Sequence, residues 1–169
     1  LVFPKGSFMH NQYKKILRWN QKILNEWLPG KVVGQMKKSE SRVDAGYFWE
    51  KFKKEHGDDI DILFINHEES RTGAPRIVFD VADDIKNRKK VAMVSLRKGT
   101  MQHDFKEAFG EVIYPDDLYP TYSEEKKVKA ILENVKPKLV YSNSISTFRY
   151  SEIAKKMGIK TIFHIHELD

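Results

Sequence analysis

Asp61-Ile62-Leu63-Phe64-Ile65-Asn66-His67-Glu68-Glu69-Ser70-Arg71-Thr72-Gly73-Ala74-Pro75-Arg76 is the stretch whose reading decides the fold. The apolar run Ile62 to Ile65 has the length of a buried strand and is too short for a helix. Asn66 to Gly73 is polar and carries a glycine. Pro75 then stands where the first turn of a helix tolerates proline, with Thr72 or Gly73 as the cap. Ile77, Val78, Val81, Ala82 and Ile85 recur at helical spacing, and Asp80, Asp83, Asp84 and Lys86 face elsewhere. A second apolar run, Val91 to Val94, follows. Strand, glycine loop, helix, strand is the opening unit of a parallel α/β sheet, with the loop at its ligand-binding edge.

Toward the C-terminus the alternation continues. Arg97-Lys98-Gly99-Thr100 leaves the second strand, and Phe105 and Phe109 mark a short helix ending at Gly110. Glu111 to Tyr114 reads as a third strand and Pro115 to Tyr122 as a loop. Ser123 caps a helix with Val128, Ile131, Leu132 and Val135 on one side, ending before Pro137. Lys138 to Tyr141 is the fourth strand, giving way to Ser142-Asn143-Ser144. Ile145, Phe148, Ile153, Ala154 and Met157 mark the next helix, capped by Gly158, and Thr161 to Ile165 is the fifth strand. The expected body is a Rossmann-like α/β domain over residues 61–169, of about five parallel strands with flanking helices. Right-handed crossovers in a doubly wound layout give the order 3-2-1-4-5. That order places Thr72-Gly73-Ala74, Asn143-Ser144 and His166-Glu167 on one rim.

Residues 1–60 read as a basic helical extension. Tyr13, Ile16, Leu17, Trp19, Ile23, Leu24, Trp27 and Leu28 form an amphipathic stripe ending at Pro29-Gly30. A second helix around Ala45, Tyr47, Phe48, Trp49 and Phe52 stops near Gly57. The formal charge of +6 is concentrated here, where 12 Lys/Arg face 7 Asp/Glu, against 18 and 17 in the remainder. Tryptophans among lysines admit contact with an anionic membrane surface, and aromatics among lysines admit base stacking. Packing against the sheet domain is the simpler expectation, and without a nucleic-acid module nucleic acid is not an expected partner.

The absence of cysteine excludes disulfides, thiolate chemistry and Cys-ligated metals. No apolar run approaches the roughly 20 residues of a membrane span. The start, Leu1-Val2-Phe3-Pro4, has neither an initiator Met nor a secretory apolar segment, as expected of a piece of a longer protein.

The rim carries the candidate chemistry. Gly73 permits close backbone approach, and the helix after it offers free N–H groups to a phosphate. Neither the three-glycine dinucleotide fingerprint nor a Lys-Ser/Thr phosphate loop is present. His164 and His166 lie two residues apart on one side of a strand, but a metal needs a third ligand from His67, Glu68 or His103. No metal is expected; one histidine packs or hydrogen-bonds in the sheet and the other reaches the cleft. Asn143 either binds a hydroxyl or caps the helix after it. His67-Glu68-Glu69 reads as a strand exit that is either functional or a solvated loop.

Taken together, Ile62-Leu63-Phe64-Ile65-Asn66-His67-Glu68-Glu69-Ser70-Arg71-Thr72-Gly73-Ala74-Pro75, Leu139-Val140-Tyr141-Ser142-Asn143-Ser144 and Phe163-His164-Ile165-His166-Glu167-Leu168 resemble, in order, motifs of the N-terminal domain of glycosyltransferase family 4 enzymes of bacterial surface polysaccharide synthesis. The resemblance covers residues 61–169 and leaves residues 1–60 unmatched. It implies a retaining transferase with two Rossmann-like domains across a cleft, the N-terminal one holding a glycan or lipid-linked acceptor and the C-terminal one a nucleotide-sugar donor. It further implies that Gly73 with Thr72 approaches the donor diphosphate, that His166 with Glu167 lies near the transferred sugar, and that Asn143 lines the acceptor side. Arg71 and Arg76 are candidates to add positive charge, with surface ion pairs as the plainer reading. No cofactor is expected in this domain. The chain stops at Asp169, so on this reading the donor-binding domain is a missing partner and these residues alone are inactive. A cytoplasmic location is expected, with the inner face of the membrane as one place for it. The competing class is a non-catalytic α/β module that binds a partner or anionic surface through residues 1–60.

Overall fold

The computed structural model describes residues 43–165, a unit separate from residues 1–41. The expected helix over residues 12–28, with Trp19 and Trp27, lies outside the described residues, as do His166 and Glu167. The elements are α1 (Ala45–His56), β1 (Ile62–Asn66), α2 (Gly73–Ile85), β2 (Val91–Ser95), α3 (Gln102–Phe109), α4 (Pro115–Leu118), α5 (Glu124–Val135), β3 (Leu139–Asn143), a 3-10 turn (Ile145–Thr147), α6 (Phe148–Lys156) and β4 (Lys160–His164).

The four strands are parallel and ordered β2-β1-β3-β4. Ile65 lies opposite Val94 on one side and Ser142 on the other. Alternation along each strand supplies two faces. Leu63, Ile65, Val94 and Val140 pack with Phe48, Trp49 and Phe52 of α1, Ile131 and Leu132 of α5, and Ile153 of α6. Phe64, Met93 and Val91 pack with Val78 and Ala82 of α2 and Phe105 and Phe109 of α3. A parallel sheet covered by helices on both faces is a Rossmann-like arrangement.

Of the α1 aromatics, Phe48, Trp49 and Phe52 are buried, whereas Tyr47 is 70% exposed. Trp49 donates its indole N–H to Tyr119 Oη at 2.7 Å, so the buried ring has its polar edge satisfied. Asp44 caps α1 by accepting from the Tyr47 N–H at 3.0 Å.

The order inferred from fold regularity holds, with one correction. The expected third strand is a single bridge, Ile113 to Val94, on the outer side of β2. Gly110 turns at φ 71° just before it, and Pro115 opens α4 just after it. Between them only the Ile113 N–H to Met93 O and Ser95 N–H to Ile113 O bonds form. The segment expected as an all-loop connection thus begins with the short helix α4. β3 also runs further than its apolar residues suggest, taking in Ser142 and Asn143.

Candidate functional site at the carboxyl edge of the sheet

Within the strands the buried side chains are apolar until the last positions. There Ser95, Asn66 and Asn143 are fully buried, and His164 is half-buried. Asn66 pairs with Ser95, Asn143 pairs with His164, and extending the Ile65–Ser142 register by one residue sets Asn66 beside Asn143. Ser95, Asn66, Asn143 and His164 therefore form one polar row across all four strands, on the face that α2 covers. Burying such groups is costly unless they are bonded, and most of them are. Ser95 Oγ donates to Arg97 O at 3.0 Å, Asn66 Nδ2 donates to Glu68 O, and His164 Nδ1 lies 2.7 Å from Tyr141 Oη. Burial holds the Tyr141 phenol above its ordinary pKa, so it stays protonated and shares this hydrogen bond with His164 Nδ1. This histidine is bonded within the sheet.

Asn143 Nδ2 donates to Ala74 O at 2.8 Å, which ties the end of β3 to the first turn of α2. Gly73, Thr72 and Asn143, far apart in sequence, are thereby brought together. Thr72 is the N-cap residue of α2, yet its side chain does not cap the helix. Its Oγ1 lies 2.6 Å from Ser70 Oγ, which donates to Glu68 Oε1 at 2.7 Å. With the Ser70 proton committed to the carboxylate, Thr72 donates to Ser70. The N–H groups of Gly73 and Ala74 have no side-chain cap, and Pro75 has none to offer. A Cβ built on Gly73 meets nothing within 4 Å, and its φ is not in the left-handed region. Neither packing nor backbone conformation in the described residues calls for glycine there.

Arg71 and Arg76, at the ends of this turn, are engaged on the surface. Arg71 lies 3.2 Å from Asp104 and Arg76 2.9 Å from Asp80. His67 Nε2 lies 3.8 Å from Glu68. Among the described residues no three His, Asp or Glu side chains converge as a metal site.

Glu69 reverses the solvated-loop reading of its segment, because it is fully buried. Its Oε1 accepts from Tyr114 Oη at 2.8 Å, and Oε2 has no hydrogen-bond partner within ordinary geometry. Burial raises its pKa, partly countered by the Tyr114 bond, the nearby Ser95 hydroxyl and Gly99 backbone, and the Lys98 charge. Its carbonyl accepts from the Met101 N–H at 2.8 Å. Gly99 lies so close that a Cβ there would stand 2.3 Å from Glu69 O. Glu69 thus fastens the loop before α2 to the loop after β2.

Ser144, on the expected rim, has a conformation that the sequence does not signal. At φ 83° and ψ 150° it occupies a region open almost only to glycine. Several bonds fix it: its N–H donates to His164 O at 2.9 Å, and its carbonyl accepts from Thr147 Oγ1 at 2.8 Å. Its Oγ accepts from the Ser146 N–H at 3.4 Å and caps the 3-10 turn. The edge therefore combines free helix N–H groups, an anchored amide, a bonded imidazole and a strained turn, an arrangement suited to holding a polar or anionic ligand.

No helix among the described residues is long and apolar enough to cross a membrane. No protein-family model matches the chain, and no curated protein or solved structure matches it either. The chain is an α/β domain of generic Rossmann-like type, with a polar carboxyl edge.

Proposed function

We propose that residues 61–169 are the acceptor-side half of a retaining glycosyltransferase, which moves a sugar from a nucleotide-sugar donor to a glycan or lipid-linked acceptor. The three sequence motifs supply the family resemblance, and one structural observation supports it most directly. The N–H groups of Gly73 and Ala74 have no side-chain cap at the turn that Asn143 anchors, and a Cβ on Gly73 would meet open space. Sugar transfer requires dipoles or cations at the leaving diphosphate and an acceptor hydroxyl held beside the anomeric carbon. The α2 N-terminus meets the first requirement. His166, with Glu167 beside it, is assigned to the transferred sugar, and Asn143 to the acceptor side. The donor nucleotide is assigned to a second domain closing over this edge, with acceptor delivery at the cytoplasmic face of a membrane.

The test is transfer by a protein that carries this chain together with a donor-binding domain. His166→Ala is expected to lower kcat by about 100-fold or more, the scale of losing one group that acts in the transition state, with the unfolding midpoint unchanged. Near-wild-type turnover for His166→Ala removes the assignment. Efficient transfer by residues 1–169 alone removes the two-domain reading.

A further inference from the structure

At the opposite, amino edge of the sheet lies a groove of about 680 Å³ between the ends of α1, α2 and α3 and the start of β2. Its size is that of a small-molecule site. One wall is fixed by Gly110, whose φ of 71° and lack of a side chain let Glu55 pack where a Cβ would lie 2.3 Å from Oε1. Glu55 Oε2 in turn accepts from the Glu111 N–H at 3.2 Å. Lys86 is anchored by Asp83 at 2.6 Å and lies over the Phe109 ring at 5.8 Å.

The formal charges along the lining do not cancel, with Lys86, Arg88, Lys89 and Lys90 set against Glu55 and Asp61. Arg88 is neutralised by Asp84 at 2.8 Å, and Asp61 is held by Lys138 at 2.8 Å and by the Lys90 N–H at 3.1 Å. Glu111 is taken by Lys51 and Lys106. The ammonium groups of Lys89 and Lys90 have no carboxylate within ion-pair distance among the described residues, although Asp61 lies near enough to Lys89 to feel its charge. His56 also lines the groove, stacked on Phe52 at 4.4 Å, with Nε2 buried and without a hydrogen-bond partner. Burial holds this imidazole below its ordinary pKa, against the opposing pull of Glu55, Glu111 and the nearby Val91 and Glu111 backbone. At neutral pH it is therefore an uncharged ring packed into the groove wall, placed to respond to what binds beside it.

We propose that this groove binds a small phosphorylated molecule, its phosphate between Lys89 and Lys90 and its remainder against Val91, Ala108 and Phe109. Two unneutralised ammonium groups in a concave surface call for a divalent anion, and a phosphate monoester carries about two negative charges at neutral pH. The apolar wall suits an organic phosphate better than a free ion. The site lies at the other end of the strands from the proposed transfer edge and does not depend on that reading.

The direct test is titration of the 169-residue chain with phenyl phosphate, a monoester with an apolar remainder, followed by the His56 ring resonances in a proton–carbon spectrum. Saturable movement of His56, with the exposed His103 unmoved, is expected. Replacing both cations, Lys89→Gln with Lys90→Gln, is expected to weaken binding about tenfold, the scale of two charges near a protein surface. The control, Lys126→Gln with Lys155→Gln on α5 and α6, should leave it unchanged. No saturable movement of His56, or equal weakening by the control pair, overturns the site. So does adsorption to phosphatidylglycerol vesicles without a phenyl phosphate response.

Discussion

Two glycines in the rim loops should answer substitution in opposite ways. Alanine at Gly99 would put Cβ 2.3 Å from Glu69 O, 2.6 Å from its carbonyl carbon and 3.1 Å from Ser70 N, all backbone atoms that cannot rotate aside. Ordinary contact for such atoms is about 3.5 Å or more, so the loops must part by about 1 Å. The Met101 N–H to Glu69 O bond, 2.8 Å long and buried, lies in the path of that movement. Leaving a buried donor and acceptor unpaired costs about 1–3 kcal/mol each, so a total of about 2–6 kcal/mol is expected for Gly99→Ala. Gly73→Ala meets open space at an ordinary helical φ. It should stabilise the chain by about 0.4–1 kcal/mol, through the freedom lost from its unfolded state. Urea denaturation of the purified variants, followed by far-UV circular dichroism, measures both. A gap of about 3 kcal/mol corresponds to roughly 6–12 °C in melting temperature for a chain of this length. If Gly73→Ala is as destabilising as Gly99→Ala, the space before α2 is not free, and the site loses its main structural support. If it is neutral or better while sugar transfer is lost, the glycine serves a ligand and not the fold.

Two further substitutions probe the same edge. Glu69 has its folded-state pKa raised by burial, so the folded protein holds this proton more tightly than the unfolded chain does. The stability it contributes is fully present below the unfolded carboxyl pKa and is lost as pH rises through the folded value. Measured against the unsubstituted chain at each pH, Glu69→Gln should therefore be relatively more stable at pH 7 than at pH 4, read from urea midpoints at both; a difference of the opposite sign would contradict the buried-carboxylate account. At the strained turn, Ser144→Gly should be more stable than Ser144→Ala by about 1 kcal/mol or more, because glycine relieves the positive φ and alanine does not. Equal midpoints for the two variants would mean that the conformation costs little.

The body of the fold was legible because its signals are local. Ile62 to Ile65 and Val91 to Val94 are continuous apolar runs, as buried parallel strands require, and the stripe from Ile77 to Ile85 has helical period. Glu111 to Tyr114 misled for the complementary reason. Its composition suits a strand, but the turn at Gly110 and the helix start at Pro115 leave room for one bridge only. The placement of Gly73 and Asn143 at one edge was legible because each lies at a helix or strand end. Glu69 was not, since its burial depends on Tyr114 and Gly99, 45 and 30 positions away. Ser144 was hidden too. A positive φ at a serine follows from the surrounding bonds to His164 and Thr147, and the residue itself gives no sign of it.

The two edges of the sheet carry polarity in different forms, and chain direction explains why. In a parallel sheet built from right-handed βα units, every covering helix runs antiparallel to its strand, so helix N-termini collect at the carboxyl edge. That edge has a positive dipole end in α2 and needs no formal charge to attract an anion. Its polar groups can be neutral amides and hydroxyls, and in Asn66, Ser95, Asn143 and Ser144 they are, buried and nearly all bonded. The amino edge receives the negative end of the same dipole. Lys86, Arg88, Lys89 and Lys90 offset it, but the carboxylates Asp83 and Asp84 already engage Lys86 and Arg88. Capping α2 alone would be served by those two, which lie closest to its last turn. Lys89 and Lys90 lie beyond the helix, beside a groove with an unpartnered imidazole nitrogen, and helix capping does not account for them. An anion bound at this end would meet side-chain charge, whereas one bound at the carboxyl edge would meet backbone N–H groups.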